Sequence, residues 1–391
     1  MQNIIQAVFS PGAAQTPIDR VLRFSAIGLA LTLGTALAFL TFSGHGAFNT
    51  GSGVPWGLPV SMYLFLVLAA TGLTFVAALS ILFGFQDFAP VAKRCTWLSV
   101  AALIGGFTAL GLEIGHPFRM IWTLPSGMQY VSPMFWMGLF YTLYLVLLIG
   151  KFQRIHAGDW HSPLSHALGL ASFVSVVIAH STLGLVFGMM TMRPLWYDGL
   201  ISIYFLVMAA VSGGAFAVLF TYVAHDFKQE NMPKALRALA TGTALPKVFA
   251  TIIGIGIMMI VDRTITGLWV NLDGFQVYQE LLRSPLWQLA FWLGLVVPFV
   301  VMVMPSTQRQ AKWQIRASVL VILAMAIVFY YYVVGGQRVP MFKGAWEPDL
   351  VPYTPSLAEW AVTLAGVFLV FTIYAIGEKL FNLADAPGGK D

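Results

Sequence analysis

Residues 199–223 read GLISIYFLVMAAVSGGAFAVLFTYV, with no Asp, Glu, Lys, Arg or His among them. As an α-helix at 1.5 Å per residue this stretch is about 37 Å long, enough to cross a hydrocarbon core of about 30 Å. A lone strand would leave its backbone N–H and C=O groups unpaired in lipid, so the segment is read as a helix. Similar runs flank it on both sides: Leu22–Phe42, Val60–Phe83, Cys95–Ile114, Met134–Gly150 and Leu164–Met190 before it, then Pro246–Trp269, Trp287–Met304, Ala317–Val334 and Leu357–Leu380. The chain therefore reads as an all-α integral membrane protein with about ten transmembrane helices. It is one membrane domain over residues 1–391, without a separate soluble module. The longest connections, Ala224–Leu245 and Gly335–Pro355, read as loops, and no internal repeat is visible.

Composition agrees. Of 391 residues, 58% are hydrophobic and 9% charged, with a mean hydropathy of +0.80. A soluble chain carries roughly a quarter charged residues, so most of this surface must face membrane lipid. The net charge of +5 comes from single basic residues scattered between apolar spans, which argues for membrane orientation and against nucleic-acid binding. The polar start, Met1–Arg20, has no apolar core of the signal-peptide kind, and Leu22–Phe42 is long enough to be a span in its own right.

Lys and Arg set the orientation. Arg20, Arg23, Lys93, Arg94, Lys151, Arg154, Lys228, Lys234, Arg237, Lys247, Arg309, Lys312, Arg316, Lys379 and Lys390 fall on one side. Only Arg119, Arg193, Arg283, Arg338 and Lys343 fall on the other. The bias places both termini in the cytoplasm. The cytoplasmic loops then look like ordinary basic anchors. The loops with unusual residues (Ser43–Leu58, Gly115–Pro133, Arg193–Asp198, Asn271–Arg283 and Gly335–Pro355) face outward, where a partner would dock.

Charge at bilayer depth costs roughly 2.5–3.5 kcal/mol on insertion scales, so each such group needs a reason. His180 and Asp262 each lie about 24 Å above the cytoplasmic start of their spans. Glu113 ends the third span, just before Gly115, His116 and Arg119, and Arg263 sits inside the seventh. All fall in the outer half of the membrane, which points to one polar site. Plain alternatives exist: His180 as a packed histidine bonded to a neighbouring helix, Asp262 and Arg263 as a structural pair, Glu113 and His116 as interfacial residues. Adjacent helical residues point about 100° apart, so Asp262 is expected to pair with another helix, through Arg119 or His180. Gly115-His116-Pro117 breaks its helix where polar groups begin, as helices do when they line a cavity or are buried in protein. Trp122, Tyr130, Trp136, Trp196, Tyr197 and Tyr330–Tyr332 fit an interfacial aromatic belt, or a pocket for a flat apolar headgroup.

Redox groups held by this chain are constrained. The single Cys95 supplies no thiolate set for an iron–sulfur cluster. Within the spans only His166 and His180 could ligate haem, and they lie about 21 Å apart on one helix. A redox role would thus require a diffusible carrier near the surface, serviced by a partner's metal centres.

Several segments, taken in order, resemble the NrfD/PsrC family of polysulfide-reductase-type membrane subunits, in its longer branch that includes DsrP and HybB. They are Gly53-Val54-Pro55-Trp56-Gly57, Glu113-Ile114-Gly115-His116-Pro117-Phe118-Arg119 with Trp122, Ser132-Pro133-Met134, and His180-Ser181-Thr182-Leu183-Gly184. Arg193-Pro194-Leu195-Trp196-Tyr197, Arg263, Gly335-Gly336-Gln337 and Tyr353-Thr354-Pro355-Ser356 follow. The resemblance implies two four-helix bundles plus two extra helices and a quinone or quinol site (menaquinone or ubiquinone) near the outer face. It also implies a ferredoxin-like iron–sulfur subunit docked on the periplasmic face of a bacterial inner membrane, with further redox subunits of molybdenum, hydrogenase or multihaem type. The chain would then be the quinone-handling subunit of a respiratory oxidoreductase complex and not its substrate-converting one. His180, Glu113, His116, Arg119 and Arg263 lie in matching segments, whereas Asp262 rests on depth alone. His116 stands where many relatives have Arg. His180, Glu113 and Asp262 are expected to handle protons, and His180, His116, Arg119, Arg263 and Trp122 to contact the headgroup.

The alternatives are a proton- or ion-coupled secondary transporter and a purely structural anchor. The lack of a repeat and the outward position of the polar groups weigh against the transporter. His166, Ser172 and Ser175 below His180, with Glu378 in the last span, leave a proton route inward conceivable, with ordinary helix-packing polar residues as the favoured reading.

Overall fold

The computed structural model describes residues 16–115, 122, 126–242, 244–269, 275–340 and 350–386. Among the described residues, ten helices have the length and apolar character to cross a membrane. They are α1 (Pro17–Phe42), α2 (Leu58–Ile81), α3 (Ala89–Glu113), α4 (Pro133–His156), α5 (Pro163–Gly188), α6 (Ile201–Ala224), α8 (Ala244–Trp269), α10 (Pro285–Val303), α11 (Ala311–Gly335) and α12 (Leu357–Leu380). Two short helices, α7 (Lys234–Thr241) and α9 (Phe275–Arg283), lie within stretches expected to be plain loop.

The helix starts follow local chemistry. Thr16 accepts the Asp19 N–H while Asp19 reaches back to Thr16, with Pro17 in the first turn; Ser356 and Glu359 do the same for α12. Proline in the first turn recurs in α2, α3, α4, α5 and α10, where its missing N–H costs nothing. In α10, residues Leu289–Val296 widen into a π-helix and the Val297 N–H bonds to Trp292 O. Pro298 follows, which has no N–H to offer the turn before it.

α2–α5 pack as one four-helix bundle and α6, α8, α10 and α11 as a second, while α1 and α12 pair alongside α3. The bundles meet where α2 crosses α6. A Cβ at Gly72 would stand 1.8 Å from Ala209 O, and one at Gly213 would stand 2.1 Å from Gly72 C, so only glycine permits this approach.

One expectation is corrected. Lys93, Arg94 and Lys151 are not loop anchors but are 1–2% exposed. Lys93 Nζ reaches Asp385 at 2.7 Å and Arg94 Nε reaches Glu378 at 2.5 Å. α3 can therefore begin at Ala89 rather than near Cys95, because acidic groups from the last helix and the segment after it neutralise its basic first turns.

Candidate functional site

Three successive N–H groups at the start of α2 are capped by side chains from three other parts of the chain. Trp56 N–H donates to Gln337 Oε1 at 2.8 Å, Gly57 N–H to Glu113 Oε1 at 3.0 Å, and Leu58 N–H to the Tyr353 hydroxyl at 2.9 Å. A helix N-terminus has no intrahelical acceptors for these donors, so this rim is built by satisfying them tertiarily. Gln337 Nε2 returns the bond to Trp56 O at 2.8 Å. The Tyr353 hydroxyl donates to Glu359 Oε1, and Glu359 Oε2 accepts from Asn49 N–H at 3.1 Å and Ser356 N–H at 2.7 Å. Burial and the neighbouring Glu359 carboxylate raise the Tyr353 phenol above its ordinary range, so it remains the donor of that pair.

Glu359 is saturated; Glu113 is not. Glu113 Oε2 is shielded from solvent and has no hydrogen-bond partner among the described residues. A buried carboxylate oxygen without a partner can accept a hydrogen bond from a hydroxyl or N–H donor brought to it.

His180, fully buried on α5, is the second under-satisfied group. Its Nδ1 lies 2.8 Å from the Tyr141 hydroxyl and 3.1 Å from Thr71 Oγ1. Nε2 has no partner among the described residues, whichever nitrogen carries the proton. The Phe205 ring centroid is 5.9 Å from the imidazole centroid. Phe205, Phe187, Trp56, Trp196 and Tyr332 form an interlocked wall with ring centroids 5.1–5.8 Å apart.

Arg263 stands beyond that wall, in the second bundle. Its guanidinium pairs with Asp198, donates to Leu195 O at 2.8 Å, and lies 4.7 Å from the Tyr204 ring centroid and 5.7 Å from that of Tyr332. It lines a cavity of about 30 Å³ together with Tyr278, Trp287 and Tyr331.

The sequence-derived set is therefore divided. Glu113 and His180 belong to the first bundle and Arg263 to the second. Asp262 is exposed on α8 and has neither an ion partner nor a hydrogen bond to His180 among the described residues. Helical geometry explains the split: once Arg263 faces inward, its neighbour faces outward. Trp122 is 73% exposed. His116 and Arg119 lie outside the described residues. No group of three His, Cys, Asp or Glu among the described residues could hold a metal ion.

A family model described as "Polysulphide reductase, NrfD" matches residues 46–340. The chain belongs to the NrfD family. The matched region of this NrfD-family chain takes in both bundles and stops short of α12, which supplies Glu359. The chain is similar to the Hdr-like menaquinol oxidoreductase integral membrane subunit of Archaeoglobus fulgidus, with 24% identity over 93% of this chain and 94% of the relative. It is also similar to a selenate reductase subunit of Mesobacillus selenatarsenatis, with 23% identity over 83% of this chain and 85% of the relative.

Several residues of the NrfD-family fold escaped sequence reasoning. Tyr141 and Thr71 gave no signal beyond helix composition, and Asp198 looked like a loop residue. Gln337 and Tyr353 lay in quoted segments, but their acceptors became identifiable only in three dimensions.

Proposed function

We propose that this chain is the quinone-handling membrane subunit of a respiratory oxidoreductase complex. The observation that carries it is the Glu113 carboxylate, held by Gly57 through one oxygen while the other is buried and unmatched at the outer end of the first bundle. The name of the Archaeoglobus relative, a menaquinol oxidoreductase subunit, supports the substrate class. In this reading the substrate is menaquinol or ubiquinol. Glu113 accepts a hydroxyl proton, His180 and Tyr141 form a second proton-holding pair, and Trp56, Phe187 and Phe205 supply a flat apolar surface. Electrons leave to a ferredoxin-like iron–sulfur subunit on the outer, periplasmic face, and the basic face and both termini lie in the cytoplasm of a bacterial cell. Chemistry on the terminal substrate belongs to other subunits. The family assignment sets aside the transporter alternative.

Purification from native membranes in mild detergent tests this. The expected result is co-purifying iron–sulfur absorbance, extractable quinone, and quinol-dependent reduction of an artificial acceptor. A lone, colourless, quinone-free chain without quinol turnover would overturn it.

A further inference from the structure

α8 has two faces of different character. Pro246, Phe249, Ala250, Ile253, Gly256 and Ile260 are buried, and the helix packs against α6 and α10. Thr251, Ile255, Met258, Asp262, Thr266 and Trp269 are exposed and recur at intervals of three or four residues, so they form one stripe along the opposite side. Met258 is 71% and Trp269 84% exposed, as side chains turned toward lipid would be. A carboxylate in the middle of such a stripe is out of place.

Asp262 precedes Trp269 by seven residues, a distance of about 10 Å along the helix. An exposed tryptophan at a span end marks the membrane–water boundary, so Asp262 lies well inside it. Lys and Arg can reach back to water from such a depth on long stems, whereas Asp has a single methylene. Among the described residues it is the only exposed Asp, Glu, Lys, Arg or His away from the ends of a span. Nothing described in this chain neutralises it. Arg263, the next residue, is turned inward to Asp198 and Leu195 O, and Arg338 is taken by Glu280.

We propose that this stripe of α8 seats a membrane-spanning helix from another subunit of the complex, which presents a Lys or Arg side chain to Asp262. The carboxylate specifies the occupant. Acyl chains offer no donor at this level, and phospholipid headgroups lie beyond the Trp269 boundary. A second copy packed here about a two-fold axis would set two Asp262 carboxylates against each other. A basic side chain on a partner helix neutralises the charge, while Met258 adapts to its surface and Thr251 and Thr266 let the backbones approach. This contact is independent of what the outer site of the first bundle binds.

A photo-crosslinking residue placed at Met258 in the complex, within native membranes, tests the contact. The expected product joins α8 to one membrane-spanning subunit, whose crosslinked helix carries Lys or Arg within one turn of the joined residue. The same probe at Leu293, exposed on α10 in an all-apolar stretch, should yield lipid adducts only. Asp262→Leu should lower recovery of that subunit with the purified complex at least fivefold, and replacing the partner's basic residue by Leu should do the same. Asp262→Lys combined with replacement of the partner's basic residue by Glu should restore recovery. The crosslink leaves Asp262 in place, so it does not depend on how any Asp262 variant folds. Crosslinks from Met258 to lipid alone, to a second copy of this chain, or to a helix without a basic residue overturn the proposal. Undiminished recovery of the partner with Asp262→Leu overturns it as well.

Discussion

The Gly57 N–H donates to Glu113 Oε1 at 3.0 Å, while a Cβ added to Gly57 would stand 2.1 Å from Glu359 Oε1 and 2.7 Å from the Tyr353 hydroxyl. Gly57 thus sits between two carboxylates, one saturated and one with an oxygen to spare, and it orients the second by a backbone bond. A side chain there would have to push back the tips of Glu359 and Tyr353, which their own hydrogen bonds hold in place.

Gly57→Ala should therefore displace the loop and detach Glu113. The expected outcome is at least a tenfold fall in quinol oxidation by the complex with its partner subunits still bound. Gly111→Ala, two residues before Glu113 in open space, should leave activity near the native level. Steady-state quinol-to-dye assays on both variants check this. Equal activities would show that Gly57 packing does not matter to the site.

Glu113→Gln keeps the shape and the acceptor for the Gly57 N–H but removes a group able to take a proton. A loss of about 10²-fold in kcat, with KM for the quinol analogue nearly unchanged, is expected from deleting a proton acceptor. A change in KM alone would mean that Glu113 only binds.

Arg94 and Glu378 pair at 2.5 Å with side chains 2% and 9% exposed. Breaking a buried pair by removing one partner costs about 3–5 kcal/mol, because the other charge is left alone. Arg94→Met should lower the thermal unfolding midpoint in detergent clearly, and Arg94→Met with Glu378→Met should recover much of the loss. A single variant as stable as the native chain would show that the pair carries no stability.

His225 lies just past the end of α6, and burial, the first cause, lowers its imidazole below the ordinary value of 6.5 against an opposing bond to Thr221 O. The unfolded chain then binds a proton more readily than the folded one, so stability is complete above about pH 6.5 and declines as pH falls below it. His225→Gln should flatten that acid limb in thermal unfolding between pH 7 and 5. An identical limb in the variant would assign the acid sensitivity to other groups.

The membrane-spanning architecture was legible from the chain because each span is an apolar run of the required length, and the structure moves most ends by only a few residues. One end of each of α3, α4 and α11 moves by six residues, and α3 shows why. Its start was hidden because Lys93 and Arg94 look like anchors until their acidic partners appear from the far end of the sequence. For the site, position along each helix was readable and direction was not. Counting residues placed His180 correctly along α5, but gave no account of which neighbour each group would face. Asp262 and Arg263 share a height and point apart. Tyr141 and Tyr144 read in sequence only as aromatics within an apolar run, and only the packing of α2, α3 and α5 against α4 shows their hydroxyls turned inward.

Asn49, Gly57 and Tyr353 all meet Glu359, a residue of the last helix, whereas Glu113 and Trp56 lie in the first third of the chain. During synthesis the mouth thus stays unfinished until α12 has been threaded, so a chain cut short before α12 would have both bundles but an unlatched doorway. Latching of the mouth in this way waits on the insertion of α12.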